Sequence, residues 1–128
     1  MGKNCFIHIS SGWNNLEFWD NIGGIRWTKQ KAICYLKPAG YRNKLYINCF
    51  SEFNNYDLYV SVIQNEMRII DTKISLQSNW NNISIELQNI SDMPLTIEFV
   101  TKTWSPQEIY KSSDCRDLGI AIQEVALR

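Results

Sequence analysis

The sequence has no excess of either charge: 13 lysines and arginines meet 13 aspartates and glutamates, for a formal net charge of zero. Affinity for nucleic acid or anionic lipid rests mainly on a basic surface, so neither polyanion is an expected partner. No apolar run approaches the ~20 residues of a membrane span. The opening MGKNCFIHIS also lacks the regions of a secretory signal, which predicts a cytoplasmic protein. There is one histidine, His8, in the apolar run CFIHI, and no motif supports a Ser-His-Asp or Cys-His centre around it. The cysteines Cys5, Cys34, Cys49 and Cys115 form no C-x-x-C pair. Three of them lie in apolar runs, where a reduced thiol behaves as a small hydrophobe. Gly23-Gly24 stands outside any phosphate-cradling pattern and reads as a turn, and no D-x-D-x-D-G-like calcium loop occurs. No metal and no cofactor are expected.

A convincing helical period is also missing; what is there instead is a two-residue one. The 128 residues are 45% apolar and 20% charged, enough to fill one core, and no linker or repeat divides them, so residues 1–128 are expected to form one domain. Short alternating runs fall near 5–10, 31–36, 44–52, 57–64, 67–76, 82–88, 95–103 and 119–127. Leu45 and Ile47, Val60 and Val62, Ile83, Ile85 and Leu87, Ile97 and Phe99, and Ile122 mark the dry faces. Asn48, Ser61, Ser84, Glu86, Thr96 and Glu98 mark the wet ones. The phase change in GIAIQEVAL predicts a β-bulge at Gln123 and Glu124. SPQEIYKSS allows one helical turn, with Ser105 at the N-cap and Pro106 at the first position. The expected fold is all-β: a jelly-roll sandwich of two antiparallel sheets with about eight strands.

Two stretches read as long loops, residues 11–30 and 103–118, and both mix aromatics with charges. Sandwich topologies bring first and last strands together, so these loops are expected to form one site. Of the five tryptophans, Trp80, Trp27 and Trp104 suit packing, whereas Trp13 and Trp19, among Asn14, Asn15, Glu17, Asp20 and Asn21, are the expected exposed faces. Aromatic faces flanked by amides and carboxylates suit a polyhydroxylated ligand. The candidate ligand-binding set is Trp13, Glu17, Trp19, Arg26, Trp27, Asp114 and Arg116. A glycosidase would need two opposed carboxylates, drawn from Glu17, Asp20, Glu108, Asp114 and Asp117. Arg26 and Arg116 lie in the same loops and favour structural ion pairs over a general acid, so no catalytic residue is expected.

The stretches GWNNLEFWDNIGGIRWTKQKAICYL and SPQEIYKSSDCRDLGIAI resemble small β-sandwich modules fused to bacterial glycosyltransferases and methyltransferases of surface-polysaccharide clusters. The residues that carry the likeness are Gly12-Trp13, Glu17, Arg26-Trp27-Thr28, Ser105-Pro106, Glu108, Ser113-Asp114, Arg116 and Leu118-Gly119. Cys115 departs from it, standing where a polar or basic residue is expected. The resemblance implies a carbohydrate-binding-module-like domain without catalytic residues of its own. Its implied partners are an oligosaccharide or polysaccharide and a glycosyltransferase in cis or in trans. The same shared residues also fit a second reading, a structural or protein-interaction domain whose polar network locks the first loop to the last.

Overall fold

The computed structural model describes residues 8–38, 40, 42–88 and 90–128, apart from the side chain of His8. The expected strand start and the thiol at Cys5 lie outside these residues. Alternation becomes structure most directly in β4 (Lys31–Leu36), β5 (Lys44–Ser51) and β9 (Leu95–Thr101), where every second residue is buried. The remaining strands are β1 (His8–Ile9), β2 (Glu17–Trp19), β3 (Gly23–Trp27), β6 (Tyr56–Gln64), β7 (Met67–Leu76), β8 (Asn79–Glu86) and β10 (Ala121–Leu127). They form two five-stranded antiparallel sheets, ordered β1-β4-β9-β6-β7 and β2-β3-β10-β5-β8. We call these the first and second sheets.

The predicted dry faces meet between the sheets. Leu45, Ile47, Val60, Val62, Leu87, Ile97, Phe99 and Ile122 are buried there, while Ile83 and Ile85, on edge strand β8, are half-buried against the same core. The predicted bulge is present: the β10–β5 register shifts between Ile122 and Glu124. The helical turn is α1 (Pro106–Tyr110), closed by Lys111 at φ 54°. Ser105 occupies the N-cap position, but its side chain makes no capping bond.

Residues 11–30 are not a long loop, because they contain β2 and β3, which form a hairpin at the open edge of the second sheet. Gly23-Gly24 opens β3 rather than making the turn, which lies just before it with Asn21 at φ 64°. Neither strand shows in the sequence, because β2 is only three residues long and β3 begins with two glycines, so neither carries an alternating apolar face.

Candidate functional site

The two singled-out segments do meet, and the backbone explains how. β10 lies in the middle of the second sheet, so the chain running into it passes β3: Thr28 N–H donates to the Ile120 carbonyl (2.8 Å) and Gly119 N–H to the Thr28 carbonyl (2.8 Å). On the other side, Lys29 N–H donates to the Gly12 carbonyl (2.8 Å). Gly12, at φ +90°, has no room for a β-carbon, which would overlap the Lys31 carbonyl oxygen. A β-carbon at Gly119 would overlap the Thr28 hydroxyl, which accepts the Ile120 N–H at 3.1 Å. Gly12, Thr28 and Gly119, all within the segments that carry the resemblance, therefore form one close-packed junction.

Beside this junction sits Arg116. Its Nε and Nη2 fork onto Asp114 (3.0 Å to Oδ1 and 2.7 Å to Oδ2), and its Nη1 donates to Glu17 Oε2 at 2.8 Å. This is the expected acid–base tie, and it joins the last segment to β2. Hydrogen bonding from Arg116 holds the Asp114 carboxyl below its ordinary range, and the two carboxylates hold the guanidinium protonated. Arg26 takes a different partner, donating to the Asn14 carbonyl at 3.1 Å. A polar cleft of about 440 Å³ lies here, lined by Asn14, Lys29, Gln30, Thr103, Arg116 and Asp117.

The tryptophans divide otherwise than expected. Trp13 is half-buried rather than an open face: its indole N–H donates to the Ile33 carbonyl (2.8 Å) and its ring packs edge-on against Phe99. Trp13 follows a glycine that brings it over β4, so its ring lands on the core. Trp27 is 6% exposed. Trp19, also half-buried, rests on three rings, with centroids 5.4 Å from Phe50, 5.9 Å from Trp27 and 6.0 Å from Trp80.

These rings lie on the outer face of the second sheet, where register sets Trp27, Ala121, Phe50 and Trp80 side by side across β3, β10, β5 and β8. The small Ala121 lets the flanking rings of Trp27 and Phe50 meet at 6.3 Å. Trp104 and Leu118 cover the Trp27 end. Past the rings, on the same face, comes a polar row of Glu124, Asn48 and Asn82, then Ala126, Tyr46 and Ser84. Asn48 Nδ2 donates to Gln123 Oε1, and Gln123 Nε2 donates to the Ile22 carbonyl at 2.8 Å. The buried Oδ1 of Asn48 has no hydrogen-bond partner among the described residues. The candidate set drawn from the sequence omits Tyr46, Asn48, Phe50, Trp80 and Asn82, with Trp80 expected to pack and Asn48 to face solvent. Their signal was the second face of the same alternation, which places aromatics and amides where charges usually stand.

No family model matches the chain, and no curated protein matches it. Solved structures do. A CBM4 carbohydrate-binding module aligns over 90% of this chain and 75% of its own, with TM-score 0.51 and 9% identity. The CBM36-1 domain of a multidomain xylanase from the hindgut metagenome of Trinervitermes trinervoides aligns over 90% of this chain and 88% of its own, with TM-score 0.45 and 12% identity. A mutant of CBM29-2, a family 29 carbohydrate-binding module, aligns over 94% and 86%, with TM-score 0.45 and 15% identity. The CBM4 likeness shows the fold: this chain is a jelly-roll β-sandwich of the kind found in carbohydrate-binding modules.

Proposed function

We propose that this protein is a non-catalytic carbohydrate-binding module whose site is the outer face of the second sheet. The observation that supports this reading is the half-exposed edge of the ring cluster, Trp19 and Trp80, beside the amides Asn48 and Asn82 on one sheet face. An indole offers area to the C–H face of a sugar, and a side-chain amide both donates to and accepts from hydroxyls. In this reading Trp19 is the ligand-facing member of the sequence-derived set, while Trp13, Glu17, Arg26, Trp27, Asp114 and Arg116 hold the scaffold. Glu17 and Asp114 share one guanidinium, an arrangement that suits ionised structural carboxylates rather than a glycosidase acid. The resemblance adds a setting, a module acting with a glycosyltransferase in surface-polysaccharide synthesis, and the signal-free opening of the sequence supports placing it in the cytoplasm.

The test is calorimetry with oligosaccharides from bacterial surface polysaccharides. A shallow face leaves only a modest surplus after desolvation and ordering, so the expected Kd is micromolar to millimolar, about −4 to −8 kcal/mol. Trp80→Ala and the exposed Asn82→Ala should each remove or strongly weaken the heat, with Asn82→Ala leaving the melting temperature unchanged. Absence of heat across the panel with the parent protein would sink the reading. It would also favour the alternative, a protein-interaction domain, for which the 78% exposed Phe18 on β2, next to the exposed Leu16, is the specific support.

A further inference from the structure

We infer that Arg116 and Gln123 are positioning residues that clamp the β2–β3 hairpin from both sides and so set Trp19 on its ring cluster. The functional meaning of the clamp rests on the carbohydrate reading; the clamp itself rests on geometry. β2 is three residues long and pairs with β3 at only three register positions, Glu17 to Ile25, Phe18 to Gly24 and Trp19 to Gly23. Two of those partners are glycines, which offer Phe18 and Trp19 no side chain to pack on. A ribbon this short is not stable by its ladder alone, yet it carries an indole that touches three other rings.

Two further ties come from the far end of the chain. On one side of Trp19, Glu17, on the same face of β2, accepts the Arg116 Nη1 proton at 2.8 Å, across 99 positions of sequence. On the other side, the Ile22 carbonyl accepts from Gln123 Nε2 at 2.8 Å, across 101 positions, and Ile22 N–H donates back to the Trp19 carbonyl at 3.1 Å. Both holders are themselves held. Arg116 is forked onto Asp114, and Gln123 stands at the β10 bulge and accepts from Asn48. A bulge re-aims a side chain relative to its neighbours, which is what lets Gln123 reach sideways to the hairpin turn. The backbone that carries Trp19 is thus tied at Glu17 on one side and at Ile22 on the other.

The experiment uses the near-ultraviolet circular dichroism of the intact, ligand-free protein, where Trp19 couples to Trp27 and Trp80, with Trp19→Phe defining the part of the band that Trp19 supplies. Arg116→Gln, Gln123→Leu and the near-isosteric Glu17→Gln should each lose most of that part while keeping the far-ultraviolet spectrum and cooperative unfolding. Arg116→Lys, which retains a cation for Glu17, should recover much of it. Placed in the Trp19→Phe background, the same substitutions should leave the band unchanged. A glycan that binds the parent should bind the clamp variants about tenfold more weakly, because the platform is no longer preorganised. An unchanged band in Arg116→Gln and Glu17→Gln overturns the clamp, as does an equal loss in the Trp19→Phe background. If the parent binds no glycan, the carbohydrate reading falls, and the spectra still decide the clamp.

Discussion

At the residue scale, burial decides what each substitution costs. Phe99 is fully buried and meets Trp13, so Phe99→Ala should cost about 3–5 kcal/mol in urea unfolding, whereas Ile85→Ala, half-buried on an edge strand, should cost under ~2 kcal/mol. Equal losses would mean that β8 packs more tightly than its exposure indicates. Gly12→Ala places a β-carbon on the Lys31 carbonyl at a φ of +90°, and should destabilise by more than about 1 kcal/mol. The thiols separate in the same way. Burial pushes Cys49 up to about 12, and Cys34 is buried beside the same core, whereas Cys115 is exposed. A disulfide reagent followed by peptide mapping should therefore modify Cys115 in the native protein, and Cys34 and Cys49 only on unfolding.

At the scale of elements, the tie between β2 and the last long segment should show in the pH dependence of stability. Arg116 lowers the Asp114 carboxyl from its ordinary 3.8, so the folded state favours the ionised form. Its contribution is complete above the unfolded value and disappears as pH falls through the lower, folded one. The parent should therefore lose melting temperature below about pH 4, and Arg116→Met should flatten that part of the fall. At neutral pH the same variant should melt no more than about 3 °C lower, because the side chains of the pair are about one-third exposed, at 37% and 30%, and solvent screens them. A larger neutral-pH loss, with no change in the acid limb, would locate Arg116's contribution in packing instead of charge.

For the whole molecule, the decisive feature is that the last strand is an interior one. β10 is flanked by β3 and β5, and its Ile122 and Val125 fill the core, so removing it leaves two unsatisfied ladders and an open sandwich. A chain truncated before Gly119 should show no cooperative unfolding, whereas loss of an edge strand would open one ladder instead of two. Retained cooperativity after loss of β10 would contradict this topology. The same arrangement makes the proposed binding face depend on segments far apart in sequence, since the hairpin that carries Trp19 is held by Arg116 and Gln123.

The sequence by itself determined the all-β class, most strand positions, the bulge at Gln123, the single turn after Ser105 and the inward face of β5, β6, β8 and β9. These follow from local alternation and from proline and glycine chemistry, which need no partner. It also determined that an arginine of these two segments, Arg26 or Arg116, would meet a carboxylate, because both signs of charge crowd both segments; the tertiary structure gives that role to Arg116 and turns Arg26 to the Asn14 carbonyl. The β2–β3 hairpin was not legible, since three residues and a glycine pair carry no period. Nor was the division of the tryptophans. Whether an indole is core or surface depends on which strand lies beside it: Trp13 crosses onto β4, while Trp80 lies level with Phe50 only because β5 and β8 pair in one particular register. That register, and the insertion of β10 between β3 and β5, are long-range choices made by the packing of the whole core. They alone bring Asn48, Asn82, Trp80 and Trp19 to one face.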